Sequence, residues 1–295
     1  MKFNLNGRLV DRERARISVL DRGFIYGDGI FETVLIRNSR PFMLEKHLDR
    51  LRNSASIVRI DVPWDDDRFR KEVDRVLRVN KLSDAAMRIN ISRGVGDWRL
   101  SPAGAKKPTI VISLFPIPDY PRDTYTRGWG VTVARSVVAM DPVIPSIAKT
   151  TNRISLILAK MEAEERGGHE AILLNLHGFL TEGTSSNFFF VRDGEVCTPS
   201  LDSGILEGVT RGVVMEILRE KGKAVRESLY RPEDFARADE AFLTFTTAGV
   251  VPIHNVDRTV FGQGKAGPIA QMVRVAYERR VEEGTGPSRH LQRGR

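Results

Sequence analysis

One cysteine, Cys197, is all that the chain has. No internal disulfide can form, which excludes the cross-linked scaffolds of small secreted domains and predicts a chain held in a reducing cytoplasm. Cys197 itself reads as a small half-buried residue and not as a nucleophile. Long hydrophobic runs are also missing: the longest are short pieces such as 171–174 and 188–191. A membrane-spanning helix needs about 20 apolar residues, so no membrane association is expected. The opening stretch, MKFNLNGRLVDRERAR, turns charged at once and offers no apolar signal core, so no secretory leader is predicted. Histidines are few, and His47, His169, His177, His254 and His290 lie too far apart for ligand spacing, so no metal site is expected. Internal repeats and low-complexity tracts are absent.

What is present is ordinary for a globular protein. The 295 residues are 41% hydrophobic and 28% charged, enough for one large or two moderate domains with real cores. The formal net charge is +8, which raises nucleic acid as a partner. The distribution argues against it: basic residues alternate with acidic ones, as in DRERAR and MEAEER, except in the tail SRHLQRGR. A basic surface that attracts a small anionic cofactor or substrate is the simpler reading.

Along the chain, Asn6-Gly7 sits in a hairpin, and 26–29 forms a tight turn before a strand over 30–37. Leu44, Leu48, Leu51, Ala55 and Val58 form a helical stripe, and a second helix is expected over 68–80. Strands over 86–92 and 109–114 close an N-terminal α/β domain, 1–116. Pro116, Pro118 and Pro121 then mark an interdomain linker over 117–128. The second domain, 129–295, opens with a strand over 130–136. A helix over 153–166 follows, with Ile154, Ile157, Leu158 and Met161 on one face, and then strands over 170–176, 186–191 and 195–198. A helix over 210–222, a strand over 241–245 and a last helix over 268–283 complete it. The fold class is α/β (α+β), in two unlike halves.

Five places could carry chemistry. Lys149 stands alone among Ile144, Ile147 and Ala148, just before a helix. Burial there would disfavour its ammonium form and make the amine a nucleophile; the plainer reading is a solvated lysine. Glu182, in LTEGTSSNFFFV, is either an exposed turn acid or a carboxylate that pairs with a protonated ring nitrogen. The run Leu206-Glu207-Gly208-Val209-Thr210 leads into a helix, whose open N–H groups and dipole, with the Thr210 hydroxyl, suit an anion; the plainer reading is a threonine N-cap. Thr246-Thr247-Ala248-Gly249 supplies hydroxyls and amides at a second turn. Arg50, in HLDRL, is either an exposed arginine or a guanidinium for phosphate.

The order and spacing of these places is what distinguishes them. With DRGFIYGDGIFET at 21–33, EKHLDRLRNSA at 45–55, KTTNR at 149–153, EAILLNLHGFLTEGTSSNFFFV at 170–191, GILEGVTRGVV at 204–214 and TFTTAGVVPI at 244–253, the chain resembles the class IV, or fold-type IV, aminotransferases. That group depends on pyridoxal-5′-phosphate and includes branched-chain aminotransferases, D-amino acid aminotransferases and aminodeoxychorismate lyases. The resemblance implies a smaller N-terminal α/β domain and a larger C-terminal domain with the active site between them, and a homodimer or higher homo-oligomer. It implies that Lys149 holds the cofactor as a Schiff base and that Glu182 is the ring-nitrogen partner. Arg50, Leu206, Gly208, Val209, Thr210 and Thr246 fall to the cofactor and its phosphate, and Thr247 and Ala248 to the substrate carboxylate.

The implied activity is ping-pong transamination between an amino acid and a 2-keto acid, with Lys149 moving the proton. Phe31 resembles the aromatic wall of the branched-chain enzymes, which favours a branched-chain or related apolar L-amino acid. The alternatives are an aminodeoxychorismate lyase and a D-amino acid or amine transaminase. Two departures stand out. KTTNR replaces the glycine pair and tyrosine usual in branched-chain enzymes, with Arg153 near the tyrosine's place. Arg88, Asn90 and Ser92 alternate on one strand face. Arg88 or Arg99 is then a candidate for a substrate carboxylate.

Overall fold

The computed structural model describes residues 1–138 and 147–286. Ile144, His290 and the basic tail named above lie outside the described residues. The chain divides into two compact units: Met1–Pro118 with Ala148–Asn152 and the chain from Val281 onward, and Asp119–Ile147 with Arg153–Arg280.

The first unit is built on β1 (Lys2–Leu5), β2 (Arg8–Asp11), a short helix α1 (Arg22–Tyr26), β3 (Gly29–Arg37), β4 (Arg40–Pro41), α2 (Leu44–Ile57), α3 (Asp66–Asn80), β5 (Ala85–Ser92) and β6 (Thr109–Phe115). The strands form one sheet in the order β2-β1-β6-β5-β3-β4. Strand alternation sends Ile30, Val34 and Ile36 of β3 and Met87, Ile89 and Ile91 of β5 to one face. There they meet Leu44, Leu48 and Leu51 of α2 and Phe69, Val73 and Val76 of α3. The helical stripe thus finds the apolar face that it needs. Arg88 and Asn90 take the opposite face.

The segment Ala148–Asn152 lies along β3. Phe31 N donates to Lys149 O at 3.0 Å and Thr151 N to Gly29 O at 2.9 Å, with a bridge between Ile30 and Thr150. Gly29 is required by this approach: a Cβ there would stand 2.8 Å from Ile91 O and 3.2 Å from Thr151 Oγ1.

The second unit contains α4 (Asp123–Thr126), β7 (Trp129–Val138), α5 (Ile154–Glu165), β8 (Glu170–Leu174), β9 (Leu180–Gly183), β10 (Asn187–Arg192), β11 (Glu195–Pro199), α6 (Val209–Glu220), β12 (Val225–Ser228), α7 (Pro232–Ala236), β13 (Glu240–Phe245), β14 (Gly249–Val256), β15 (Thr259–Val260) and α8 (Pro268–Thr285). Its sheet runs β12-β11-β10-β13-β14-β7-β8-β9, with β15 on β14. Phe188, Phe190, Phe235, Tyr230 and Leu243 fill one core, and Phe189 stacks on Phe242 across the sheet at 5.1 Å between ring centroids. The start of α8 is fixed by Glu240, whose Oε1 and Oε2 accept from Ile269 N and Ala270 N at 3.1 Å each.

Two sequence expectations change here. Cys197 is fully buried in β11 rather than half-buried, and burial pushes its thiol pKa up, which makes it inert. In α5 the residues that pack are Ala159 and Ala163, against Ala134, Ala171 and Leu173. The stripe Ile154, Ile157, Leu158 and Met161 is 50–65% exposed. Among the described residues no helix is long and apolar enough to cross a membrane.

Candidate active site

Lys149 is held by its backbone from two sides. Its N–H donates to Ser54 Oγ of α2 at 3.0 Å, and its carbonyl accepts from Phe31 N at 3.0 Å. Its side chain is half-buried, with Nζ 4.9 Å from the centroid of the Phe31 ring. Ala148 beside it is buried, at 8% exposure. A lysine tied at N–H and carbonyl and laid over an aromatic face differs from one that moves freely in water.

Arg50 is not exposed. Its side chain is 9% accessible, and it grips Glu32 of β3, with Nε donating to Oε1 at 2.7 Å and Nη2 to Oε2 at 2.8 Å. His47, one helical turn earlier, lies 2.7 Å from the same Oε2 through Nδ1. An ionised carboxylate only accepts, so Nδ1 carries the proton. Burial alone would raise the Glu32 carboxyl; the hydrogen bonds and charge of Arg50 and His47 outweigh it and lower its pKa to about 2. Burial lowers the His47 pKa, and the hydrogen bond and charge of Glu32 oppose it.

Phe31 and Arg88 share the other face of this sheet, where Phe31 pairs in register with Asn90 and Thr33 with Arg88. The Arg88 guanidinium lies 3.8 Å from the Phe31 centroid, and its Nε donates to Asn90 Oδ1 at 3.1 Å. Burial lowers its pKa, and among the described residues no carboxylate pairs with it. Arg99 is different: it is 72% exposed and paired with Asp97 at 3.2 Å.

In the second unit, Glu182 lies within β9, one residue before its end, and is not a turn residue. Its Oε2 accepts from Asn187 Nδ2 at 2.9 Å and from Leu206 N at 3.0 Å. Asn187 Nδ2 also donates to Leu206 O at 3.0 Å, so one amide ties Glu182 to the approach of α6. The N-cap of that helix is Gly208, not Thr210, and no side chain caps it. Thr210 is buried, and its Oγ1 donates to Phe245 O at 3.2 Å. Val209 is the first helical residue. Thr246, Thr247 and Ala248 form the three-residue loop that joins β13 to β14. Tyr120 Oη lies 3.0 Å from Thr247 Oγ1, and Tyr125 Oη donates to Ala248 O at 3.3 Å. Arg153 donates to Thr184 O at 2.8 Å, which makes it a brace for the turn after Glu182.

Glu32, His47, Ser54 and Asn187 were missed by the sequence reading. Glu32 carries a visible signal: it is a charged residue at an inward position of a strand whose other inward residues are Ile30, Val34 and Ile36. His47 lies in the apolar stripe of α2, three residues before Arg50. Nothing in the local sequence marks Ser54 as the acceptor for Lys149.

The α6 start has the donor chemistry that a phosphate needs. Its first turn holds no acidic residue, and its first N–H groups have no side-chain cap. A side chain at 208 is excluded, since a Cβ would fall 1.9 Å from Asn187 Oδ1. A half-buried carboxylate oriented by Asn187 and Leu206, Glu182, suits a cationic ring nitrogen, and a clamped lysine suits an aldehyde. The residues present therefore fit pyridoxal-5′-phosphate.

Known proteins resemble the chain over nearly its whole length. The family model "Amino-transferase class IV" matches residues 29–256. A Methanocaldococcus jannaschii protein described as a candidate branched-chain-amino-acid aminotransferase is 38% identical over 278 residues, covering 94% of this chain and 96% of its own. A Bacillus licheniformis D-alanine aminotransferase is 29% identical over 281 residues, covering 95% of this chain and 97% of its own. The crystal structure of the Escherichia coli branched-chain amino acid aminotransferase superposes with a TM-score of 0.91 at 30% identity, covering 97% of this chain and 96% of that one. With a match that runs from β3 to β14 and relatives that align end to end, the chain belongs to the class IV aminotransferases, the pyridoxal-5′-phosphate-dependent enzymes of fold type IV.

Proposed function

We propose that the protein moves an amino group between a branched-chain or related apolar L-amino acid and a 2-keto acid, with Lys149 as its catalytic residue. The carrying observation is the two-sided clamp on Lys149, by Ser54 Oγ and Phe31 N, beside the ring of Phe31. Lys149, Arg50, Glu182, Leu206, Gly208, Val209, Thr210 and Thr246 would hold pyridoxal-5′-phosphate. When bound, the cofactor supplies an aldehyde that takes up and returns the amino group, and a ring that accepts electron density.

The chain's own residues supply the rest. Lys149 Nζ would take the proton from the donor's Cα and deliver it to the cofactor's C4′, and with the second substrate would move it in reverse, from C4′ to Cα; its fixed backbone limits where that nitrogen can reach. Glu182 keeps a negative charge at one place, because Asn187 and Leu206 hold its Oε2. The open N–H groups at the start of α6 and the Arg50 guanidinium receive the phosphate. Phe31 offers an apolar wall to the side chain of the donor. Arg88, half-buried and with no carboxylate partner among the described residues, receives a substrate carboxylate; the Thr246–Ala248 loop offers amides to another. Exposed Arg99 is not given that role.

A homodimer is part of the same reading. Four apolar side chains of α5 stand in water, more than a scatter of single exposed residues, and a second copy would cover them.

A panel of half-reactions tests the substrate. The purified protein is mixed separately with L-leucine, D-alanine and (R)-1-phenylethylamine, and the change in visible absorption is followed; turnover is then measured with 2-oxoglutarate or pyruvate as acceptor. L-leucine is expected to react fastest. Reaction with D-alanine alone would make the protein a D-amino acid enzyme. Release of pyruvate from aminodeoxychorismate without any acceptor would make it a lyase.

A further inference from the structure

Beneath β3, on the side of the sheet that faces α2, three polar side chains are packed into the apolar core. Glu32 is 0% exposed and His47 2%, and the Arg50 side chain is 9% exposed. Removing an acid and a base from water is costly, and such a pair adds less to stability than well-packed apolar residues of the same volume would. A core made only for stability has no need of it. The geometry has a direction, however. Glu32 takes the Nε and Nη2 edge of Arg50 with both of its oxygens, and a two-point contact fixes the plane of a guanidinium as well as its position. His47 fixes Glu32 in turn.

The same helix also anchors the lysine. Ser54, fully buried one turn beyond Arg50, accepts from Lys149 N. On β3 the next residue back, Phe31, ties the Lys149 carbonyl. Adjacent β3 residues therefore hold the two groups that the reading above assigns to the cofactor: Phe31 holds Lys149, and Glu32 holds Arg50. Lys149 also contributes to the electrostatic environment of His47.

We infer that Glu32 is a positioning residue, which acts through Arg50 to aim its guanidinium at the cofactor phosphate, with His47 as the support that keeps Glu32 in place. The inference rests on the reading of Arg50 as a phosphate holder. Glu32 itself touches neither substrate nor cofactor.

Paired titrations of the full-length chain, freed of cofactor, test it. Pyridoxal-5′-phosphate and pyridoxal differ only in the phosphate, so the ratio of their dissociation constants isolates the phosphate contribution. Wild type, Glu32→Gln, Arg50→Ala and the double variant are compared by absorption or fluorescence. Glu32→Gln is expected to lose about 10- to 100-fold of the preference for the phosphorylated form, with pyridoxal affinity unchanged. In the Arg50→Ala background it should change nothing further, because its effect runs through Arg50.

If Glu32→Gln does not fold, His47→Gln replaces it, and a loss of about 3-fold or more in the same ratio is expected. A preference kept in Glu32→Gln or His47→Gln but lost in Arg50→Ala overturns the inference and leaves the function standing. A wild type with no preference, or with no binding of either compound, overturns the role of Arg50 and the inference together.

Discussion

Glu32 in the first unit and Glu240 in the second are both buried glutamates, 0% and 6% exposed, yet their carboxyls are shifted in opposite directions. Burial raises both. At Glu32 the hydrogen bonds and charge of Arg50 and His47 reverse the shift and bring the pKa to about 2. At Glu240 two backbone N–H groups at the start of α8 only reduce it, and the pKa remains raised. Two further buried glutamates differ in the same way in the kind of donor that meets them. Glu72 of the first unit is met by Arg68 and Arg75. Glu170 of the second takes Thr184 N and Oγ1, Ser186 Oγ and Ala171 N. Glu32 and Glu72 are thus met by cations, Glu170 and Glu240 by amides and hydroxyls. A cation keeps its acid charged over a wide pH range; a neutral donor orients an acid without fixing its charge.

The largest expected effect follows from the first unit. Glu32→Gln would turn an amide N–H₂ toward donors and leave Arg50 buried without its counter-charge, at a cost of about 3–5 kcal/mol. The pH dependence carries the same information. The folded carboxyl is depressed from 4.5 to about 2, so its contribution is complete above about pH 4.5 and is lost as the pH falls through about 2. This lost contribution is on the order of 3 kcal/mol. Glu240 has the opposite sign: its contribution is present below the unfolded pKa and declines as the pH rises through the folded one. Urea unfolding between pH 2 and 7 checks both, and a Glu32→Gln variant as stable as wild type with an unchanged acid limb would break the comparison.

A smaller effect on stability, but a clear one on turnover, is expected in the second unit. Glu182→Gln keeps an oxygen for Asn187 Nδ2 and Leu206 N, so melting should shift little. Losing the negative charge should reduce kcat on the order of 100-fold. Steady-state kinetics beside a melting curve separates the two, and a variant that loses stability but not turnover would make Glu182 a structural acid.

The elements that pack by simple periodicity were legible. The α2 stripe and the β3 and β5 alternation predict the sheet-on-helix layer in which Lys149 and Arg50 are found. What was hidden depends on contacts distant in sequence. α1 has no stripe to mark it as a helix, and its cap, Asp21 accepting from Gly23 N, is a local side-chain bond that also suits turns. β14 is masked by Pro252, which argues against a strand. Its pairing with β13 includes Pro252, whereas that with β7 begins only at Ile253, so the missing N–H is tolerated. The α5 stripe is legible as a stripe, but its outward direction is not, since two alanines do the packing. Of the candidate site, the residues at 149, 182 and 206–210 stand out in the sequence by their motifs. The supports, Glu32, His47, Ser54 and Asn187, became visible only when strands and helices far apart in sequence were brought together.

The proposed role of Lys149 is tested most directly by the absorption spectrum of the purified protein beside Lys149→Ala, each with added pyridoxal-5′-phosphate. Wild type is expected to show the visible band of lysine-bound cofactor. The variant should lose that band and at least about 1,000-fold of its transamination rate. A variant that keeps both the band and the rate would contradict the assignment of Lys149, and a wild type that stays colourless would contradict the cofactor itself.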